Sequence, residues 1–218
     1  MYENYPFWYT FFTKLGYRVI LSPLSTRKFY ELGIESIPSE SECYPAKLAH
    51  GLIEWLLREG VKFFFYPSVA FERKDFPDAG NHYNCPFVTS YSENIKNNVE
   101  GLNNPDIKFM NPFLSFESME IISNRLVEEF ATSEFNLSAD QVAFAAEEAW
   151  AEMAHEREDI RLKGEETLQF MEENHIRGIV LAGRPYHLDE EINHGIPELI
   201  NSYNIAVLTE DSVSIYMK

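Results

Sequence analysis

Short apolar runs punctuated by glycine and proline constrain the fold of this chain more than any other feature. Tyr17–Leu21 (YRVIL), Val61–Tyr66 (VKFFFY), Gly178–Ala182 (GIVLA) and Ile205–Leu208 (IAVL) are too short for stable helices and largely lack polar alternation. Such runs suit strands covered on both faces. Segments with helical spacing lie between them. The alternation predicts an α/β protein with mostly parallel sheets covered by helices.

The helical segments carry their own boundary signals. Tyr5–Leu15 is aromatic-rich and closes at Gly16, and Ser25–Leu32 closes at Gly33. Pro45–Glu59 places Leu48, Leu52, Trp55 and Leu56 on one face, with Gly60 as the stop and Pro45 in the first turn, where its missing N–H costs nothing. A polar loop follows over Glu72–Asn84, then a third strand candidate at Phe87–Ser90, a helix over Ser92–Val99 and a fourth strand at Ile107–Met110. Phe116–Phe130 reads as a helix. Ser138 with Gln141 forms a capping box that opens a long one. Its stripe runs through Val142, Ala146, Ala149, Met153, Ile160, Leu168 and Met171. Unbroken to Asn174 it would span about 50 Å, with Gly164 as the expected bend. Glu190–Tyr203 is a helix with a kink or restart at Pro197.

The expected organisation is a lobe over residues 1–115, a helical connection over 116–175, and the start of a second α/β lobe over 176–218. A doubly wound unit opens on a strand, whereas this chain opens on a helix and stops soon after a strand. The expectation is an excised piece or one subunit, its first strand missing and its second lobe truncated.

Composition narrows the function classes. Of 218 residues 45% are hydrophobic, enough for a buried core. The formal charge is -17, from 35 acidic against 18 basic residues. A surface this negative repels phosphate backbones and anionic membranes, so neither nucleic acid nor membrane is an expected partner. No stretch approaches the ~20 apolar residues of a membrane span. The N-terminus has no basic n-region. Two cysteines make no disulfide framework, and together these features place the chain in a reducing cytoplasm.

Few residues carry the pattern of a reactive site. Cys43 stands just ahead of the helix that opens near Pro45, where the helix dipole favours a thiolate. Cys85 stands between a polar loop and Pro86. They lie 42 positions apart with no CxxC, so spacing leaves open a pair of partly buried, unreactive thiols. Lys47 and His50 are one helical turn apart and either face a cleft together or form a solvated helix face. Gly183–His187 follows a strand, and its Arg184 suits bidentate binding of a phosphate or carboxylate. His187, Asp189 and His194 match no standard ligand spacing, and a structural loop, or one that binds a neighbouring domain, is the stronger expectation. The chain lacks the dinucleotide fingerprint, the phosphate-binding loop and the nucleophile elbow, so no ATP site is expected in it.

Four longer motifs carry a resemblance: NYPFWYTFF from Asn4, SESECYPAKLAHG from Ser39, NHYNCPFVTSY from Asn81 and GRPYHLDEEINHGIPE from Gly183. Together they resemble a domain of unknown function in CoA-substrate-specific enzyme activases, related to the 2-hydroxyacyl-CoA dehydratase system. The likeness covers most of the chain and thins between residues 117 and 173. It implies Rossmann-like lobes and work beside an actin-like ATPase domain, on an acyl-CoA and by low-potential electron transfer. It also implies a four-iron four-sulfur cluster, with Cys43 and Cys85 as candidate ligands. Lys47, His50, Arg184 and His187 then become candidates for substrate binding. Relatives read Tyr-Pro-Cys where this chain reads Tyr66-Pro67-Ser68, so Ser68 stands at the position of a third ligand. The alternative that this departure raises is a non-catalytic interaction or scaffold domain that has lost its cluster.

Overall fold

The computed structural model describes residues 4–76 and 78–213. Residues 1–3, 77 and 214–218, which the expected first and last lobes include, lie outside the described residues. The chain divides into two compact units, Phe11–Glu148 and Met1–Thr10 with Ala149–Lys218.

In the first of these units, helices α1 (Tyr5–Lys14, from Phe11 onward), α2 (Arg27–Gly33) and α3 (Tyr44–Arg58) precede strands β1 (Phe63–Phe65) and β2 (Ser68–Phe71). Then come α4 (Pro86–Asn98), β3 (Lys108–Met110), β4 (Phe113–Ser115), α5 (Met119–Phe130) and the start of α6 (Ala139–Asn174). β1 pairs with β3 and β2 with β4, both parallel, Phe64 opposite Phe109 and Val69 opposite Leu114.

The three phenylalanines of β1 show how alternation builds the core. Phe64 is buried with Ala46 and Ile53 of α3 and with Tyr91 and Ile95 of α4. Phe63 and Phe65 point the other way, into rings of Phe12, Phe130 and Phe135 at centroid distances of 5.1–6.3 Å. Both faces of this strand pair are therefore covered, as parallel strands require.

α2 lies against α3 at backbone contact. A methyl group on Gly51 would overlap the Phe29 carbonyl, and one on Gly33 would overlap the Gly51 amide. Only hydrogen at both positions lets the two helices approach this closely.

The second unit is built on the rest of α6, on β5 (Arg177–Leu181), α7 (Glu190–Asn193), α8 (Ile196–Ser202), β6 (Ile205–Thr209) and α9 (Glu210–Val213). β5 and β6 pair in parallel, Ile179 opposite Val207.

Several expectations hold. Strands form within Val61–Tyr66, Ile107–Met110 and Ile205–Leu208, and the long helix opens on the expected box. Ser138 N donates to Gln141 Oε1 at 2.9 Å and Gln141 N to Ser138 Oγ at 3.2 Å. The restart near Pro197 is real, set by left-handed His194 and Gly195 between α7 and α8.

Other expectations need correction. Tyr17–Leu21 forms no strand, because it pairs with no strand among the described residues and Arg18, Ile20 and Leu21 are exposed. Phe87–Ser90 is helical. Pro86 starts α4 six residues before the expected Ser92, since tertiary burial of Tyr91 and Ile95 outweighs the local β preference of Phe-Val-Thr. The strand near Gly178 forms, but four of its five residues are exposed. α6 runs through Gly164 without a break in its helix. Gly164 makes room for the Ser212 carbonyl, which a side chain would overlap. The fold is a mixed α/β one, and among the described residues its strands form short parallel pairs.

Gly51→Ala is expected to lower the unfolding free energy by about 1–3 kcal/mol, because overpacking pushes α2 off α3. Gly80→Ala, with open space around it, is the control and should leave the urea midpoint unchanged. Equal midpoints for the two variants would refute the close contact.

Candidate functional site

The two cysteines occupy equivalent local positions. Cys43 is the residue before α3 and Cys85 the residue before α4, with φ/ψ of -66°/149° and -66°/155°. Each carbonyl accepts the first helical hydrogen bond, from Lys47 N and Thr89 N respectively, both at 3.1 Å. Neither side chain caps its helix. Cys43 is exposed, Cys85 is half-buried, and both are free thiols. In each case a proline in the first turn starts the helix and leaves the thiol at its amino end.

Behind Cys43 lies a buried polar chain that sequence spacing did not reveal. Glu42 and Tyr91 are almost fully buried, and His50 is fully so. The Tyr91 hydroxyl donates to Glu42 Oε2 at 2.7 Å, and Asn94 Nδ2 donates to Glu42 Oε1 at 2.9 Å. His50 Nε2 lies 2.9 Å from the Tyr91 hydroxyl, and His50 Nδ1 lies 2.8 Å from Ser36 Oγ. The chain thus joins the turn after α2, the loop before α3, α3 itself and α4. His50 packs edge-on to the Tyr91 ring at 5.6 Å.

This environment shifts the titrating groups in definite directions. Burial lowers the His50 pKa, and the Glu42 charge offsets part of that. Burial pushes Tyr91 well above the usual phenol value, helped by its hydrogen bond to Glu42 and by the Glu42 charge. Tyr66 is pushed up to about 12 by burial and by the nearby Cys43 sulfur.

The remaining expected residues separate. Lys47 does not share a cleft with His50: its ammonium donates to the Glu40 carbonyl at 2.7 Å, bracing the loop before α3. Ser68 is fully buried, its hydroxyl 2.6 Å from that of Ser92. Arg184 and His187 are exposed and belong to the second unit, where the Arg184 amide donates to His187 Nδ1 at 3.1 Å. Asp189 accepts the amides of Glu191 and Ile192 and so caps α7. His194 takes the left-handed conformation that ends that helix. Among the described residues, no group of three or more His, Cys, Asp or Glu side chains is placed to hold a metal ion.

A cleft of about 440 Å³ opens beside Cys85, lined by Ala70, Phe71, Tyr83, Asn84, Pro86, Thr89 and Ser90. It lies at the carboxyl end of β2 and the amino end of α4. Glu42, Asn94, Tyr91 and Ser36 were missed. The signal for Tyr91 was its four-residue spacing to Ile95 and Val99, which marks a buried helix face.

Fold and site define a mixed α/β domain with a closed polar core and free thiols at two helix amino ends. The chain belongs to the CoA enzyme activase uncharacterised domain family, whose model matches residues 1–213. Membership points to an activase-related role and to assembly with other domains or subunits. No curated protein and no solved structure matches the chain. Among the described residues, no helix is long and apolar enough to cross a membrane.

Tyr91→Phe removes the hydroxyl shared by a buried carboxylate and a buried imidazole. It is expected to cost about 2–3 kcal/mol in urea unfolding, because it leaves polar groups unsatisfied; a loss within error of zero would count against the network. The pH dependence has a definite sign. Folded His50 sits below its unfolded value, so the folded state binds fewer protons between the two. Its contribution is fully present above about pH 6.5 and drains as pH falls toward the lowered folded value. The stability difference between wild type and His50→Gln should therefore shrink on going from about pH 7.5 to about pH 5.5. A difference that stays flat or grows would reverse the assignment.

Proposed function

We propose that this chain is a non-catalytic docking domain of a CoA enzyme activase system for 2-hydroxyacyl-CoA substrates, working beside an actin-like ATPase domain and holding no iron–sulfur cluster by itself. The observation that carries this reading is the closed Ser68–Ser92 pair. A cluster of this kind takes about four thiolates. The chain offers two cysteines, and the residue at the expected third position is a hydroxyl with no exposure, already bonded at 2.6 Å. The donor set does not fit a resident four-iron cluster.

A second reading keeps Cys43 and Cys85 as cluster ligands, completed by thiolates from outside the chain. The accessibility of both free thiols favours it. Anaerobic reconstitution with iron and sulfide, followed by visible absorption and iron counting, separates the two. The docking reading expects no stoichiometric iron, and no gain on Ser68→Cys, because that side chain is sealed against Ser92. A charge-transfer band that appears in wild type and vanishes in Cys43→Ala would replace it with the cluster reading.

A further inference from the structure

The polar chain around His50 has one more acceptor than a single protonation state can use. The Tyr91 hydroxyl gives its only proton to Glu42, so His50 Nε2 carries the proton of the 2.9 Å contact and donates to the Tyr91 oxygen. In a neutral ring Nδ1 is then an acceptor, and Ser36 donates to it across 2.8 Å. The same Ser36 oxygen lies 2.9 Å from the Gly33 carbonyl. A hydroxyl holds one proton, so it serves one of these acceptors at a time. If Nδ1 gains a proton it becomes the donor, and the Ser36 proton turns to Gly33. Each donor in the chain keeps a partner in both states, with the heavy atoms in place.

We propose that Ser36, His50, Tyr91 and Glu42 form a proton-binding site of the folded domain, in which His50 Nδ1 takes up one proton while the Ser36 hydroxyl switches from the ring to the Gly33 carbonyl.

The step balances simply. One N–H bond forms with a proton from solvent, one hydrogen bond reverses direction, and the cluster charge rises by one. Glu42 is the charge that acts on His50, its Oε2 4.0 Å from Nε2. The other groups around the chain are the Ser36 hydroxyl from the turn, Tyr91 and neutral Asn94 from α4, and Tyr66 and Cys43, which act on Tyr91. Burial opposes the imidazolium, so uptake falls below the ordinary histidine range. Nothing in this site depends on the docking role.

Long-range ¹H–¹⁵N NMR of the whole chain, with the His50 signals assigned by their loss in His50→Gln, reads the ring nitrogens directly. The expected neutral form is protonated at Nε2. On acidification both nitrogens become protonated while the amide spectrum of the fold persists. Ser36→Ala removes the acceptor for the new N–H, and a bond to a charged donor is worth more than the neutral one it replaces. Proton affinity should fall about tenfold, a midpoint about one unit lower. Ser36→Thr keeps the hydroxyl and should restore the wild-type midpoint. Protonation of His50 only as the amide spectrum collapses would overturn the proposal. So would a ring that stays neutral down to acid unfolding, or an unchanged midpoint in Ser36→Ala.

Discussion

The backbone contact between α2 and α3 is the constraint from which the site follows. Gly51 and Gly33 let the two helices meet without side chains between them. That approach brings the turn Ile34–Ser36 over α3, so that Ser36 reaches the buried imidazole of His50. At an ordinary helix separation of about 8–10 Å the Ser36 hydroxyl would fall short, and His50 would lose the partner of one nitrogen. A buried imidazole with a half-satisfied ring is destabilising, so the close helix contact and the polar chain support each other.

Much of this fold was legible in the sequence wherever the signal was local. The capping box at Ser138, the proline at the start of α3 and the apolar run at Phe63–Phe65 each fixed an element from a few neighbouring residues. The failures share a cause. Tyr17–Leu21 has a strand's composition, but a strand exists only with a neighbour, and none is supplied at its position among the described residues. Phe87–Ser90 carries a β-type triplet that the helix stripe Tyr91, Ile95 and Val99 absorbs from downstream. Ser68–Phe71 carries no strand signal of its own, yet it pairs with Phe113–Ser115 more than 40 positions away. Pairing over that distance leaves no local trace.

The site divides along the same line. Cys43 and Cys85 were identifiable because thiols are few; Pro45 announces the helix behind Cys43, whereas the start of the helix behind Cys85 reads locally as a strand at Phe87–Ser90. Their equivalence as residues preceding α3 and α4 emerges only in the fold. Glu42, Tyr91 and Asn94 were not identifiable, because Tyr91 and Asn94 are joined to Glu42 across 49 and 52 positions. In the sequence Glu42 is one more acid in a strongly acidic chain. In the fold its carboxylate is withdrawn from solvent, and its two oxygens are held by two residues of one helix face.

The two halves of the site therefore obey opposite rules. At the rim, the helix starts carry one exposed and one half-buried thiol, and no side chain caps either helix. Behind the rim, each polar side chain is paired: His50 with Ser36 and Tyr91, Glu42 with Tyr91 and Asn94, Ser68 with Ser92. Such pairing rigidifies the interior, because breaking any contact strands a buried partner at a cost above the bond's net worth. A surface that must meet another domain gains from this arrangement. The interior holds the amino ends of α3 and α4 in place, and the groups displayed there are free to make their contacts outside the chain.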